Sequence, residues 1–548
     1  KGVYRISYQA LVNAGFPVQT VQSQQIQLFG KEREVALYIE DGGDNAVNPG
    51  DYIEFFAEGN DGWIDSLLYD EPEHIGNPGY SLYNDTLYYF LTWKTSGQGK
   101  RFLVENDINY SLYTPVPYVL QKSSKSYSSQ YYGGYSQSLS YSSFFSAGEG
   151  WGGPNYNGAS NFTLPISLET ESIYTGQNAP EVVFHAKSNG NSNASFTGQG
   201  NHHLRWTLGT GNYLLHDEVF IGFRQIVVNT TFSANMLSNG NTIVNFNIVG
   251  DQGALTDYQS VSYLSLIYPR TTSTNATFID WLVPKSTSYA KSRVDIEGSG
   301  MSQPIAYVFG GGGVPKKIPF TNNSGAWSGL IPNVSGETQR LIVVDQNEVK
   351  SVSNITPVNG NGMFTDYSQL NAENAYIILY NKVMMNSVNN YKAYRQSSNG
   401  GGHNVLTLEI GDLWMQYGGG VPKHIIGVSR GLNHLYNLST QKPQALLIAG
   451  KGISEANDPN TSGAGSPRKN ATIAAYNLVP SYGNPSSDMC ITSKWNNSTS
   501  YTPAIPTGRI AAKNDSELKG YLVKVRVFEA AQNQNGIYNK EEKEWQKQ

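Results

Sequence analysis

Several groupings in the 548-residue sequence bring together residue types that can do chemistry. Gly427-Val428-Ser429-Arg430-Gly431 has the G-x-S-x-G form of a nucleophile elbow. That motif needs a strand just before the serine and a helix just after it, so that the hydroxyl stands on a strained turn. Here Ile425-Ile426 and Leu432 with Leu435 share one helical face, so Ser429 is expected in mid-helix, where no such turn exists. Gly450-Lys451-Gly452 follows an apolar run and invites comparison with a phosphate-binding loop. Neither G-x-G-x-x-G nor G-x-x-x-x-G-K-[ST] is completed, because Ile453, Ser454 and Glu455 come next. A turn at the carboxyl edge of a sheet is the favoured reading, and open α/β sheets bind ligands at that edge.

His202-His203, with His216 further on, is the densest histidine grouping. No carboxylate or cysteine stands at metal-ligand spacing and no H-E-x-x-H occurs, so these read as half-exposed strand histidines. Cys490 sits between Ser487-Asp488-Met489 and Ile491. Nothing local would lower its thiol pKa, and it reads as a buried structural cysteine. Asp41-Gly42-Gly43-Asp44-Asn45 is a turn signal with two carboxylates. Calcium is one reading of it, but the spacing does not fit a calcium-loop motif and a solvated hairpin turn fits better. Gly-Gly-Gly-Val-Pro-Lys occurs at 311–316 and 418–423 with unlike flanks, which is coincidence and not a repeat.

The elements that must position these residues are mostly strands. Charged residues make up 15% of the chain, against about 25% in an average domain. The 57 glycines and 37 tyrosines suit exposed β-structure with many turns. A net charge of −5 points away from nucleic acid as a partner. A single cysteine excludes an intrachain disulfide framework. No apolar run approaches the roughly 18 residues a membrane helix needs, and no signal peptide is visible at Lys1.

Alternating runs at Gln25–Phe29, Val35–Ile39, Tyr52–Ala57 and Thr86–Thr92 predict antiparallel strands in an N-terminal β domain, 1–100. Residues 101–180 are rich in Ser, Tyr and Gly, and their aromatic residues suit a sheet or a groove better than a linker. Glu181–Ala186, Glu218–Val228, Thr242–Val249 and Ser260–Tyr268 predict further strands, giving a sandwich or jelly-roll-like domain over 101–290. A small β domain or connector, 291–370, follows. From 371 the character changes. Ala375–Tyr380 is continuously apolar, as expected of a strand covered on both faces. Val383–Gln396 reads as a helix, His403–Ile410 as a strand, Val421–Asn437 as a helix and Ala445–Ala449 as a strand. That order is a parallel α/β unit. Gly508–Ile510 leads into a helical period at Glu517–Ala531.

This C-terminal order resembles the start of the gingipain-like cysteine peptidase domain, a caspase-like α/β fold. Asn389–Arg395 stands for the family's Ala/Tyr/Arg-rich helix, and 410–419 for its Ile-Tyr-x-x-Phe-x-x-Gly segment. Ala445–Gly452 stands for the strand before Gly-Asp-Gly. Ser487-Asp488 resembles its Ser-Asp element, and Gly508-Arg509-Ile510 with Tyr521–Glu529 resembles its Gly-Arg strand and following helix. The β-rich region, including Gly2–Tyr8 and Gly50–Phe55, is similar to that of family members that act as sortases in type IX secretion. Two positions depart from the pattern. Lys451 stands where the family has Asp, and Met489-Cys490 follows Ser-Asp.

The resemblance implies β-sandwich domains followed by an incomplete caspase-like domain, 371–548. It places the family's catalytic His and Cys beyond the 517–531 helix, so no catalytic residue falls on this sequence and the chain alone is expected to lack peptidase activity. The implied function is a sortase at the extracellular face of the outer membrane of Gram-negative Bacteroidota, reached after export. It would cleave C-terminal sorting signals from secreted cargo and attach the cargo to a surface anchor. Expected partners are an outer-membrane shuttle β-barrel, other type IX components and the cargo, with no nucleic acid. No cofactor is assigned, and calcium stays open. The alternative is a non-catalytic surface scaffold or glycan-binding protein with a degenerate peptidase domain, in which Tyr127–Phe145 and Trp151 stack on sugars and Lys451 replaces the acid.

Overall fold

Alternation of apolar and polar side chains gives the first 350 residues their sheets. The structure, a computed structural model, describes residues 1–135, 142–193, 200–455 and 465–534. Gly2–Ser7 pairs antiparallel with Tyr52–Ala57 and parallel with Lys350–Val352, so the opening of the chain and residue 350 share one four-stranded sheet. A three-stranded sheet of Arg33–Val35, Ile26–Gly30 and Phe90–Trp93 packs with it around Ile6, Leu11, Ile26, Leu28, Leu37, Ile53 and Phe55. The single strand expected at Val35–Ile39 is two, Arg33–Val35 and Tyr38–Glu40, in different sheets. The strand expected at Thr86–Thr92 starts only at Phe90, because the Tyr88 amide donates to Gly420 O, 2.8 Å away.

A ten-stranded sheet runs through the middle of the molecule. One end is faced by a four-stranded sheet of Phe162–Thr170, Gly240–Ile248, His202–Leu208 and Tyr213–Phe220. Phe184, Leu204, Trp206, Phe246, Leu264 and Leu266 fill the sandwich between them. The run read as one strand over Glu218–Val228 is two strands, one in each sheet. The chain reverses at Gly222, whose φ of +70° suits glycine. The large sheet continues through Val119–Ser126 and Phe278–Pro284 to Thr338–Asp345, so its ladder crosses the border expected near 290. There a three-stranded sheet (Lys291–Ile296, Ala326–Pro332, Thr321–Asn323) covers it around Trp281, Ile296 and Val343.

The α/β segment follows the sequence reading closely. Four parallel strands lie in the order Val405–Glu409, Tyr376–Tyr380, Ala445–Ala449, Thr507–Ile510. Ile377 and Leu379 face the helices Ile410–Tyr417 and Ile425–Leu438. Ile378 and Tyr380 face Met385–Gln396 and Asp515–Gln534. Burial on both faces is why that strand shows no alternation. The helix expected from Val421 starts at Ile425, because His424 Nδ1 accepts the Ile426 amide at 3.1 Å and caps it. The 405–409 strand passes into a helix without a loop, so Ile410 is helical and not the end of a strand.

Candidate functional site

The strand order of the α/β segment reverses direction beside Tyr376–Tyr380, which places the ligand-binding crevice of such a sheet at its carboxyl edge. Gly450-Lys451-Gly452 lies there. The Gly450 amide donates to Ile510 O at 3.0 Å and the Lys451 amide to Ala512 O at 2.9 Å. The Ile453 amide donates to Asn477 Oδ1 at 3.0 Å. With these amides spent on the chain itself, the turn makes no phosphate cradle. Lys451 is half-buried and forms no ion pair among the described residues.

Arg509 organises this edge. Its Nε and Nη2 donate to the two carboxylate oxygens of Asp488 at 2.7 and 2.6 Å, and its Nη1 donates to Gly450 O and Val479 O, both at 2.7 Å. Two motifs, Ser487-Asp488 and Gly508-Arg509, whose charged residues lie 21 positions apart in the chain, thus meet as one two-pronged ion pair. A second pair joins the two helices on the opposite face. Arg395 Nη2 donates to Glu529 Oε1 at 2.7 Å, and Tyr394 Oη donates to Glu529 Oε2 at 2.6 Å. Arg395 also lies 5.0 Å from the Tyr391 ring centroid. A double-mutant cycle of Arg395→Ala with Glu529→Ala, followed by urea denaturation, is expected to give a coupling of about 0.5–2 kcal/mol. Additive losses would show that the helices do not depend on this pair.

The structure places the remaining candidates as follows. Ser429 is helical, as expected, and its Oγ accepts from Trp495 Nε1 at 2.9 Å. Cys490 is buried in a short 3-10 turn, and burial pushes its thiol pKa up. A thiol reagent at neutral pH is expected to label Cys490 only as fast as the protein unfolds, and Cys490→Ser is expected to keep the native circular dichroism spectrum. Rapid labelling of the folded protein would overturn this.

The histidine reading is corrected. His202 and His203 are buried, not half-exposed, and carboxylates do meet them. His202 Nδ1 lies 2.5 Å from Asp257 Oδ1. His203 sits between Asp251 and Asp217, at 2.8 and 2.5 Å. Burial works against its charged form, but the hydrogen bonds to Asp251 and Asp217 outweigh that and raise its pKa. His216 pairs with Glu218 at 3.1 Å. In the 41–45 turn, Asp41 Oδ1 accepts the Gly43 amide and Asp44 Oδ1 the Ala46 amide, at 3.0 and 2.9 Å. These carboxylates brace their own turn, and no group of three or more His, Cys, Asp or Glu among the described residues is placed to hold a metal ion.

The sugar-stacking reading is corrected for Trp151, Tyr131, Tyr132 and Phe145, while Tyr127 is half-buried and Tyr135 exposed. Trp151 is fully buried, and Tyr131, Tyr132 and Phe145 are buried with it. Trp151 meets Tyr131 edge-on at 5.4 Å and donates from Nε1 to Leu82 O at 3.3 Å. Trp151, Tyr131 and Phe145 belong to the core that also holds Ile377, Leu432 and Ile448, so they join the β region to the α/β segment. Residues 136–141 of the Tyr127–Phe145 run lie outside the described residues.

Sequence reasoning missed the polar groups buried along that junction. His424 Nε2 lies 2.8 Å from Asp65 Oδ1, both fully buried, with the Tyr83 ring 4.3 Å from the imidazole. Glu149 is fully buried and accepts from Tyr131 Oη at 2.8 Å and the Ser146 amide at 3.1 Å. Burial raises its pKa to about 8. Glu455, beside the edge turn, is likewise raised by burial to about 8. For Glu149 the signal in the sequence is an isolated acid among glycines and an aromatic residue.

Comparison with known proteins agrees with this geometry. The model of Peptidase family C25 matches residues 369–548. That segment is therefore the gingipain-like part of the chain, and β domains precede it. The crystal structure of dimeric latent PorU from Porphyromonas gingivalis matches 99% of this chain and 51% of its own, with a TM-score of 0.59 at 12% identity. The chain thus has the fold of PorU over about half the length of that structure. The tandem CBM51 modules of Sp3GH98, a family 98 glycoside hydrolase from Streptococcus pneumoniae, match 34% of this chain and 80% of their own at 9% identity, with a TM-score of only 0.14. No curated protein matches the sequence.

Proposed function

We propose that the protein to which this chain belongs is a sortase of the type IX secretion system. It is a cysteine peptidase and transpeptidase that removes C-terminal sorting signals from cargo at the cell surface and joins the new terminus to a surface anchor. The observation that carries this reading is the reach of the PorU likeness. It extends over 99% of the chain, the long β region included, and is not confined to the C25 segment. In such a reaction a thiolate attacks the scissile carbonyl, a histidine passes the proton to the leaving amine, and an amine acceptor then resolves the acyl-enzyme. No residue of this sequence is assigned those roles. Its one cysteine, Cys490, is free and buried.

The same reading places the protein at the extracellular face of the outer membrane. Its partners there are a shuttle β-barrel, other type IX components and the cargo. Among the described residues no helix is long and apolar enough to cross a membrane. The test is deletion of the gene, with mass spectrometry of cargo termini and a pull-down from solubilised outer membranes. Untrimmed, unanchored cargo in the deletion strain and co-purification with an outer-membrane barrel support the reading. Normal cargo in the deletion strain sinks it and leaves the scaffold.

A further inference from the structure

The first β region holds one flank of the peptidase segment's carboxyl edge through a basic knuckle, Arg468-Lys469. Arg468 Nη1 and Nη2 both donate to the Asp85 carboxylate, the former at 3.3 Å, and Nε donates to Ser81 O at 3.3 Å. The guanidinium carbon lies 4.3 Å from the Tyr80 ring centroid. Lys469 Nζ donates to Tyr80 Oη at 2.7 Å and to Ser128 Oγ at 3.2 Å, and lies 5.0 Å from the Trp151 ring centroid. The Arg468 side chain is only 8% exposed although its partner Asp85 is 75% exposed, so the arginine is inserted into the β region. At the base of the knuckle, Glu455 accepts the Arg468 amide at 3.0 Å and Ser466 Oγ at 3.4 Å. Glu455 is five residues past Gly450, at the carboxyl end of the 445–449 strand.

Two neighbouring ion pairs have the same polarity, and one neighbouring hydrogen bond runs the other way. Lys494 reaches Asp70 at 3.0 Å, Arg430 reaches Glu32 at 2.5 Å, and Asn84 Nδ2 donates to Pro422 O at 2.5 Å. In each ion pair the cation comes from the α/β segment and the acid from residues 1–100. One isolated exposed pair contributes little, but Arg468 combines two-pronged pairing, a buried stem and an aromatic face. The guanidinium is therefore held by Tyr80, Ser81 and Asp85, while the Arg468 amide is held by Glu455 and Ser466 of its own segment.

We infer that Arg468 and Lys469 are positioning residues, through which the first β region sets the shape of the ligand-binding edge of the peptidase segment and with it the fit of the cargo polypeptide. The part concerning cargo rests on the sortase reading; the part concerning the edge does not. The experiment uses the intact protein and the doubly substituted Arg468→Ala, Lys469→Ala variant, with Tyr80→Phe as a milder change that removes one hydroxyl. Hydrogen exchange over 465–476 is expected to rise about tenfold in the double variant while exchange in the 425–438 helix stays unchanged. With the C-terminal domain of a secreted cargo as substrate, KM is expected to rise several-fold at unchanged kcat, and less so in Tyr80→Phe. Unchanged exchange over 465–476 overturns the inference, as does a fall in kcat at constant KM. If the unsubstituted intact protein leaves cargo uncut, the sortase reading falls, and the exchange result alone then decides whether the β region sets this edge.

Discussion

Arg509→Ala is expected to cost about 3–5 kcal/mol of stability, the range for removing one partner of a buried ion pair. The guanidinium is 9% exposed on its side chain and Asp488 is 22% exposed. Taking the cation away leaves that carboxylate half out of water and removes the donor from Gly450 O and Val479 O together. Those carbonyls belong to the turn after the 445–449 strand and the chain that crosses it, so the loss falls on the whole edge. Arg509→Lys is expected to recover less than half of it, because a lysine has one point of charge where the site uses a planar fork. Arg509→Ala with Asp488→Ala should cost less than Arg509→Ala alone, since no carboxylate is then stranded. Urea denaturation of the three variants measures all of this. A loss under about 1 kcal/mol for Arg509→Ala would show that the edge is held by its backbone ladder instead.

What the sequence disclosed follows the range of the interaction. Ala375–Tyr380 was legible as a doubly covered strand, because a period of none in six residues is a local property. Ser429 was legible as helical from the face its neighbours share. The polar pairs were not legible, because each joins residues far apart in the chain. Asp257 lies 55 positions from His202, and Asp65 lies 359 from His424. Trp151 was misread for the same reason: its covering rings and its contact with the peptidase core come from distant segments. Glu218–Val228 failed differently. Both strands are apolar enough to look continuous, and only the glycine at 222 betrays the turn that moves the chain from one sheet to the other. The Asp488–Arg509 pair could be suspected only by resemblance to a family, since neither residue type nor spacing marks it.

The protein is expected to be most stable in mild acid and to lose several kcal/mol between about pH 5 and pH 8. Glu149 and Glu455 both have pKa values raised by burial to about 8. A carboxyl group raised on folding stays protonated in the native state while the unfolded chain ionises. Its contribution is therefore fully present below about pH 4.5 and is lost as pH rises through about 8, where it levels off. For a fully buried group such as Glu149 the span is about 2–5 kcal/mol. The raised His203 adds to the same slope, since its gain is present below about pH 6.5 and fades above it. Below about pH 4 the slope reverses, because Asp345 must take up a proton: burial works to raise its carboxyl, but the Asn347, Ser302 and Gln303 amides together outweigh that and hold it at about 2. Glu149→Gln keeps an acceptor for the Ser146 amide and lets Tyr131 turn its hydroxyl to accept. It is expected to raise the melting temperature at pH 8 and to leave it nearly unchanged at pH 5. Thermal unfolding of the two proteins across pH 4–9 is the measurement. Parallel curves for Glu149→Gln and the unsubstituted protein would mean that Glu149 is ionised in the native core, its charge met by the Tyr131 hydroxyl and the Ser146 amide.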